Sequence, residues 1–247
     1  MLRYEHKFFV PIYQLDKLRH YLLPFMEPDP FAVSHGGAYT VRSIYFDTPA
    51  MQCYFDKVAG IKRRNKVRLR GYNCDGETGT VFFEIKKKVD DPLFKNRFAL
   101  PYREAKKVLS GAPLEHCLGP GKADGKSADN VRRFMYHVYA RQMHPVVTVI
   151  YDREPFQPIL DDGDNRLRIT LDKHLRVAAY PSLDQLYEER DVRAVRPNFF
   201  IMEIKFNQYF PSWMKPVIQA FGLRKGPASK YAMSIETLGL GQARQYL

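Results

Sequence analysis

The stretch "RRNKVRLRGY" (Arg63–Tyr72) places five positive side chains in ten residues. From Lys66 they fall on alternate positions, Lys66, Arg68 and Arg70, with Val67, Leu69 and Gly71 between them. Period two is the period of a β-strand, whose side chains alternate between faces. One face therefore carries a row of cations, and the other carries small or apolar residues. Other strands repeat the arrangement. Arg3, Glu5 and Lys7 share a face, as do Glu84, Lys86 and Lys88, and Lys95 and Arg97. So do Tyr151 and Arg153, then Arg166, Arg168, Thr170 and Asp172, and finally Glu203, Lys205 and Asn207. The strand "YTVRSIYFDT" (Tyr39 to Thr48) breaks the pattern and its faces are not assigned.

A solvated sheet face usually mixes signs, because like charges across a ladder destabilise it. These faces carry about a dozen Lys and Arg, with only Glu5, Glu84, Asp172 and Glu203 as acids. A polyanion relieves such repulsion: Arg forks take phosphate oxygens in pairs and Lys supplies point charges. The acids suit a divalent metal accompanying phosphate, since Mg²⁺ or Mn²⁺ is held by one or two carboxylates plus phosphate oxygens.

The bulk composition agrees. The 247 residues carry a net charge of +12, with 45% hydrophobic and 14% aromatic residues, enough for a core and inconsistent with disorder. The three cysteines, Cys53, Cys74 and Cys117, are odd in number and lack C-x-x-C spacing. A disulfide framework or thiolate zinc site is not expected. No apolar window reaches membrane-span length, and the N-terminus lacks a signal-peptide pattern. The expectation is a soluble, cytoplasmic protein with no transmembrane segment.

Roughly eight strands joined by turns or single helices predict one α+β domain over residues 1–247: an antiparallel sheet, closing into a barrel, with flanking helices. Helices are expected after "RYEHKFFV", over "YREAKKVLSG", around Asn130 to Gln142, and twice in the C-terminal tail. The Gly/Pro-rich "APLEHCLGPGKADGKSAD" predicts the most mobile loop. "YEERD" predicts a solvated loop. A nucleic-acid partner is disfavoured, because the cations alternate along strands and no helix-turn-helix, zinc-finger or RNP motif is present.

Nine motifs in order, "RYEHKFFV", "VRSIYFDT", "KVRLRGY", "FFEIKKK", "KNRF", "VIYDREPF", "RLRITLD", "IMEIKF" and "ASKYAMSI", resemble the catalytic domain of the vacuolar transporter chaperone (VTC) family, a branch of the triphosphate tunnel metalloenzymes related to the CYTH group. The resemblance spans residues 3 to about 235. It implies an eight-stranded antiparallel tunnel. It also implies a polyphosphate polymerase that moves the ATP γ-phosphate onto a growing polyphosphate chain, with Mn²⁺ or Mg²⁺. Carried over, the phosphate-binding basic positions fall on Lys7, Arg68, Arg70, Lys86, Lys95, Arg153 and Lys230, with Lys57 at a looser match. Tyr151 and Ser229 match phosphate-contacting residues, and Glu203 matches a metal ligand. Many tunnel phosphohydrolases begin with an E-x-E-x-K strand; here Arg3 replaces the first glutamate and leaves Glu5 and Lys7. Arg68, Arg70, Lys86 and Arg153 are the candidate catalytic group. Lys7, Lys57, Lys95, Tyr151, Arg168, Ser229 and Lys230 are candidate substrate contacts, and Glu203 and Glu5 candidate metal ligands. Relative to full transporter subunits, an added sensor domain and membrane spans are not expected, which leaves translocation open. A tripolyphosphatase or nucleotide triphosphatase, and a non-catalytic polyphosphate or inositol-polyphosphate sensor, are the alternatives. Oligomeric state, acceptor and preferred metal stay open.

Overall fold

The computed structural model describes residues 3–89, 93–118, 126–160 and 163–241. In chain order the elements are β1 (Tyr4–Pro11), α1 (Leu15–Leu22), β2 (Met26–Pro28), α2 (Pro30–Val33), β3 (Tyr39–Asp47) and α3 (Gln52–Val58). Then come β4 (Arg63–Tyr72), β5 (Thr80–Val89), β6 (Leu93–Pro101), α4 (Tyr102–Leu109), α5 (Leu114–Leu118) and α6 (Lys126–Ala140). The remainder is β7 (His144–Pro158), β8 (Arg168–Ala179), β9 (Arg193–Ala194), β10 (Phe199–Phe206), α7 (Met214–Ala220) and α8 (Lys230–Thr237).

The strands hydrogen-bond in the order β1-β10-β8-β7-β3-β4-β5-β6, with β2 on β7 and β9 on β8. Eight strands form the path, as the alternation predicts, and two short ones are added. Every pairing with a defined register is antiparallel. Among the described residues no ladder joins the two ends of the path. The antiparallel sheet with flanking helices therefore stands, and barrel closure does not follow from it. The chain divides into two compact units. The first takes the N-terminal residues through Thr40, Tyr151–Leu175 and Ala194–Ser229; the second takes Val41–Ile150, Arg176–Arg193 and the residues from Lys230 onward.

In the first unit, Phe8 and Val10 of β1, Met202, Ile204 and Phe206 of β10, and Ile169 and Leu171 of β8 form the apolar face. It packs on Leu18 and Leu22 of α1 and Met214 and Val217 of α7. Burying each such side chain contributes roughly 1.5–3 kcal/mol. That burial fixes register, since a slip of one residue would turn the cations into the core. The charged residues predicted to share faces do share them: Lys7 lies opposite Glu203, Glu5 opposite Lys205, and Glu203 opposite Thr170.

In the second unit, Phe46 of β3 and Phe83 of β5 pack edge-on against Phe134 of α6, at 5.7 and 4.9 Å between ring centres. Val67, Leu69 and Ile85 complete the buried face. The unassigned strand β3 resolves here. Ser43 lies opposite Arg70 and Tyr45 opposite Arg68, while Ile44 and Phe46 join the core. β3 is buried on both faces, so its composition has no reason to alternate.

Some boundaries move. Asn165 is buried, and its Oδ1 accepts from the backbone N–H groups of Asn207, Gln208 and Tyr209. Those bonds end β10 at Phe206, so Asn207 leaves the charged face on which it was expected. Arg166 has φ of 47° and precedes β8, so it too is outside the strand. The predicted loop over residues 112–129 holds α5 and the start of α6; residues 119–125, and with them the expectation of greatest mobility, lie outside the described residues.

The "YEERD" segment is a loop exposed at Glu189, Arg190 and Asp191, as expected, but it is anchored at several points. Glu189 bridges Arg42 and Arg176, with Nη2–Oε1 2.6 Å to Arg42 and Nε–Oε2 2.6 Å to Arg176. The Tyr102 hydroxyl donates to the Leu183 carbonyl and accepts from the Leu186 N–H. The loop is tied down because buried Arg42 needs a counter-charge. It crosses β4 at Gly71, where a Cβ would stand 2.6 Å from the Tyr187 hydroxyl.

Candidate phosphate-binding clusters

In the second unit, antiparallel register places Arg68 of β4, Glu84 of β5 and Arg97 of β6 in one row. The Glu84 side chain has no exposed surface. Its Oε2 accepts from Arg68 Nε at 2.7 Å and Nη2 at 2.5 Å, and Arg70 Nε stands 3.9 Å away. Its Oε1 pairs with Lys95 Nζ at 2.7 Å and Arg97 Nε at 3.3 Å. Four cations meet one carboxylate. Burial works to raise the Glu84 carboxyl, but Arg68, Arg70 and Lys95 outweigh it and hold it far below the usual range. Tyrosines and a serine steady the cations from the other side. Arg68 Nη1 donates to the Tyr45 hydroxyl at 2.7 Å, and Arg70 Nε to Ser43 Oγ at 3.2 Å. Arg97 Nη2 donates to the Tyr72 hydroxyl at 3.2 Å while its guanidinium lies 3.4 Å from the centre of the Phe82 ring. In the next row Lys66, Lys86 and Lys95 stand side by side.

Lys230 opens α8 and is buried in the same unit. Burial works to raise the Tyr45 phenol; Arg68, Arg70 and Lys230 overcome it and bring the phenol below its ordinary value. Tyr231, the next residue, stacks on Tyr45 at 5.1 Å and donates its hydroxyl to Asp47. Asp47 also accepts from the N–H groups of Thr48, Cys53 and Tyr54 and thereby caps the start of α3. Lys57, on the last turn of that helix, does not pair with Glu84.

The first unit holds a different cluster. Arg153 of β7 forks onto Asp172 of β8, Nε–Oδ1 2.6 Å and Nη2–Oδ2 2.7 Å, and reaches Glu203 Oε2 at 3.5 Å. Lys7 Nζ lies 3.3 Å from Glu5 Oε1 and 3.4 Å from Glu203 Oε1. Lys205 Nζ lies 3.1 Å from Glu203 Oε2 and 3.8 Å from Glu5 Oε1. Burial pulls the Lys205 ammonium below its ordinary value against the pull of Glu203 and Glu5. The Arg153 guanidinium lies 5.3 Å from the Tyr151 ring centre. Lys7 Nζ also donates to the Ala228 carbonyl, next to buried Ser229. Arg168 does not join this group: its guanidinium pairs with Asp29 at 3.2 Å, because Asp29 stands at the start of α2 with a free oxygen.

The two clusters differ in charge. Lys7, Lys205 and Arg153 balance Glu5, Glu203 and Asp172, whereas Glu84 faces four cations. The second unit's cluster therefore carries an excess of positive charge, and the first's is balanced. Glu203 and Glu5 are hard oxygen donors that already share two cations, Lys7 and Lys205. Among the described residues no group of three or more His, Cys, Asp or Glu could hold a metal. The pair suits a Mg²⁺- or Mn²⁺-like ion that takes its remaining ligands from phosphate and water.

Sequence reasoning named Lys7, Arg68, Arg70, Lys95, Arg153, Glu5 and Glu203, and the structure seats each in one of these clusters. It missed Glu84 and Asp172 as hubs, and Arg97, Lys205 and Tyr45 as members. Their alternation was visible, but which residues face one another depends on register between strands.

Comparison with known proteins adds lineage. The model of the VTC domain matches residues 2–239. "Vacuolar transporter chaperone complex subunit 4" of Schizosaccharomyces pombe is 26% identical over 235 residues, covering 80% of this chain and 32% of that protein. Subunit 2 of the same complex from Saccharomyces cerevisiae is 24% identical over 169 residues, covering 62% of this chain and 20% of that protein. The chain thus spans a third or less of the length of these relatives. A solved structure of HpAC1 from Hippeastrum, described by a dominant triphosphatase activity, covers 97% of this chain and 96% of its own at 12% identity. Its TM-score of 0.44 is too low to carry an argument. The match over nearly the whole described length settles the lineage: the chain belongs to the VTC domain family.

Proposed function

We propose that this protein is a polyphosphate polymerase of the VTC family, acting on ATP and polyphosphate as a single tunnel domain. The observation that carries the reading is the Glu84 cluster, in which Arg68, Arg70, Lys95 and Arg97 leave a fixed excess of positive charge around one buried carboxylate. Closure of the eight-stranded path into a tunnel belongs to the proposal, as does a cytoplasmic setting. No helix among the described residues is long and apolar enough to cross a membrane.

Phosphoryl transfer asks little covalent work of the protein, so catalysis is positioning and charge stabilisation. The terminal oxygen of the acceptor chain attacks the γ-phosphorus in line. The new P–O bond forms as the bond to the β-bridging oxygen breaks, and ADP leaves. No side chain acts as a nucleophile. Arg68, Arg70 and Lys86 hold the triphosphate and offset charge that builds on the leaving oxygen, and Arg153 orients the carboxylate side of the site. Lys7, Lys95, Ser229, Lys230 and Tyr151 contribute further phosphate contacts, with Lys57 and Arg168 as outlying ones. Glu203 and Glu5 would hold Mn²⁺ or Mg²⁺, which supplies charge neutralisation at the phosphate oxygens. The Lys7 ammonium lies within 3.4 Å of both carboxylates and would add a phosphate contact beside them.

The test is a thermal-shift titration with tripolyphosphate. A ligand bound only to the folded state stabilises by roughly 2.7 kcal/mol at a hundred times its Kd. Wild type should gain several degrees and Arg70→Ala little. Equal gains for both proteins would contradict the assignment. Hydrolysis of the same bound triphosphate is the second reading, favoured only if product analysis finds orthophosphate in place of polymer.

A further inference from the structure

We infer that Glu84 is the positioning residue of the phosphate site: its buried carboxylate holds Arg68, Arg97 and Lys95 in the geometry that receives a triphosphate. The inference rests on the proposed function and assigns a role to a carboxylate that does not itself touch phosphate.

Two accounts of Glu84 compete. In one it merely lowers the net charge of a crowded face. In that case removing its charge strengthens polyanion binding, because an excess cation attracts phosphate. In the other it fixes directions. The geometry points to the second. The two carboxylate oxygens divide the cations by strand: Oε2 accepts two hydrogen bonds from Arg68 of β4, and Oε1, which has no hydrogen-bond partner among the described residues, lies in ion-pair contact with Lys95 and Arg97 of β6. Each arginine is then held again at a second point, Arg68 by the Tyr45 hydroxyl and Arg97 by the Tyr72 hydroxyl and the Phe82 ring. A guanidinium fixed at two points loses little freedom when phosphate arrives, which is how preorganised sites gain affinity. A charge-balancing acid has no need for such partition. It would serve equally at the solvated rim, where desolvation costs nothing, yet Glu84 is wholly buried. Its register supplies the reason: in the centre of three strands, flanked by Arg68 and Arg97, it reaches both neighbours with one short side chain.

The experiment is isothermal titration of tripolyphosphate into wild type, Glu84→Gln, Glu84→Asp, Arg97→Gln and the double variant E84Q/R97Q, at one ionic strength and with melting curves for each. Positioning predicts that E84Q binds at least tenfold more weakly despite its extra net positive charge, and that E84D recovers part of the loss. It also predicts that the double variant's loss falls well short of the product of the two single losses, because Glu84 acts through Arg97. An E84Q that binds as tightly as wild type, or more tightly, overturns the inference. Should E84Q fail to fold, E84D decides by the same criterion: weaker binding supports the role, and undiminished binding overturns it. If wild type itself does not bind tripolyphosphate, the proposed function fails first and this role falls with it.

Discussion

Arg153 and Asp172 form a two-point fork on adjacent strands, with Nε–Oδ1 at 2.6 Å and Nη2–Oδ2 at 2.7 Å. Asp172 is wholly buried and Arg153 nearly so. Burial works to lower the Arg153 guanidinium, and Asp172, Tyr151 and Glu203 outweigh it and raise it well above its ordinary value. Breaking a buried pair from one side costs about 3–5 kcal/mol, because the survivor is left unpaired. Asp172→Ala should therefore lose about that much in urea denaturation. A loss under about 1 kcal/mol, the worth of a surface pair, would show that the fork is not part of the fold's support.

Glu203 receives Lys7, Lys205 and Arg153. Glu203→Gln keeps the side chain's size and loses its charge. Tripolyphosphate binding should persist, while turnover at limiting Mn²⁺ should fall by more than about tenfold, since an amide is a poorer ligand for a hard dication. Unchanged turnover at limiting metal removes Glu203 from the metal site.

Gly71 is the place where the 180–193 loop crosses the sheet. A Cβ there would meet Tyr187 Oη at 2.6 Å and Leu186 Cδ2 at 3.1 Å. Gly71→Ala should cost about 1–3 kcal/mol by overpacking and open the loop to protease. Tyr187→Phe, which removes the crowding hydroxyl, should restore much of the loss in the G71A background. No recovery would place the strain elsewhere.

The Glu189 carboxyl is lowered from 4.5 to about 2, first by its hydrogen bond to Arg176, then by Arg42, against the effect of burial. A carboxylate lower in the folded state contributes stability above its unfolded value and loses it as pH falls through its folded value. Wild type should thus melt higher than Glu189→Gln at neutral pH, and the gap should close between pH 4.5 and about 2. A gap that stays constant through that window would mean the bridge carries no linkage.

The alternation of Lys66, Arg68 and Arg70 was readable because one strand face is apolar and buried against α6. Patterning likewise put Lys7, Glu203 and Arg153 on charged strand faces, and the family resemblance singled them out there. The hub role of Glu84 was not readable: a glutamate followed by lysines in "FFEIKKK" looks like part of a solvated mixed face until register sets Arg68 and Arg97 on either side of it. β3 was opaque for a different reason, since a strand covered on both faces carries no period. The partner of Arg168 was not readable, because its long side chain reaches Asp29 of the α2 cap and register between strands does not show that. Asn165 hid the end of β10 because a single buried amide side chain, 42 residues away in sequence, ends that strand.

The central claim is chemical. Purified protein is incubated with ATP and Mn²⁺ or Mg²⁺, alongside Arg68→Ala and Glu203→Gln, and the products are resolved on a polyacrylamide gel with orthophosphate measured in parallel. Wild type should build a ladder of long-chain polyphosphate with one ADP released per phosphate added, and both variants should lose the ladder. ATP consumed wholly to orthophosphate by wild type, with no polymer at either metal, would contradict polymerisation and leave the same clusters to a hydrolase.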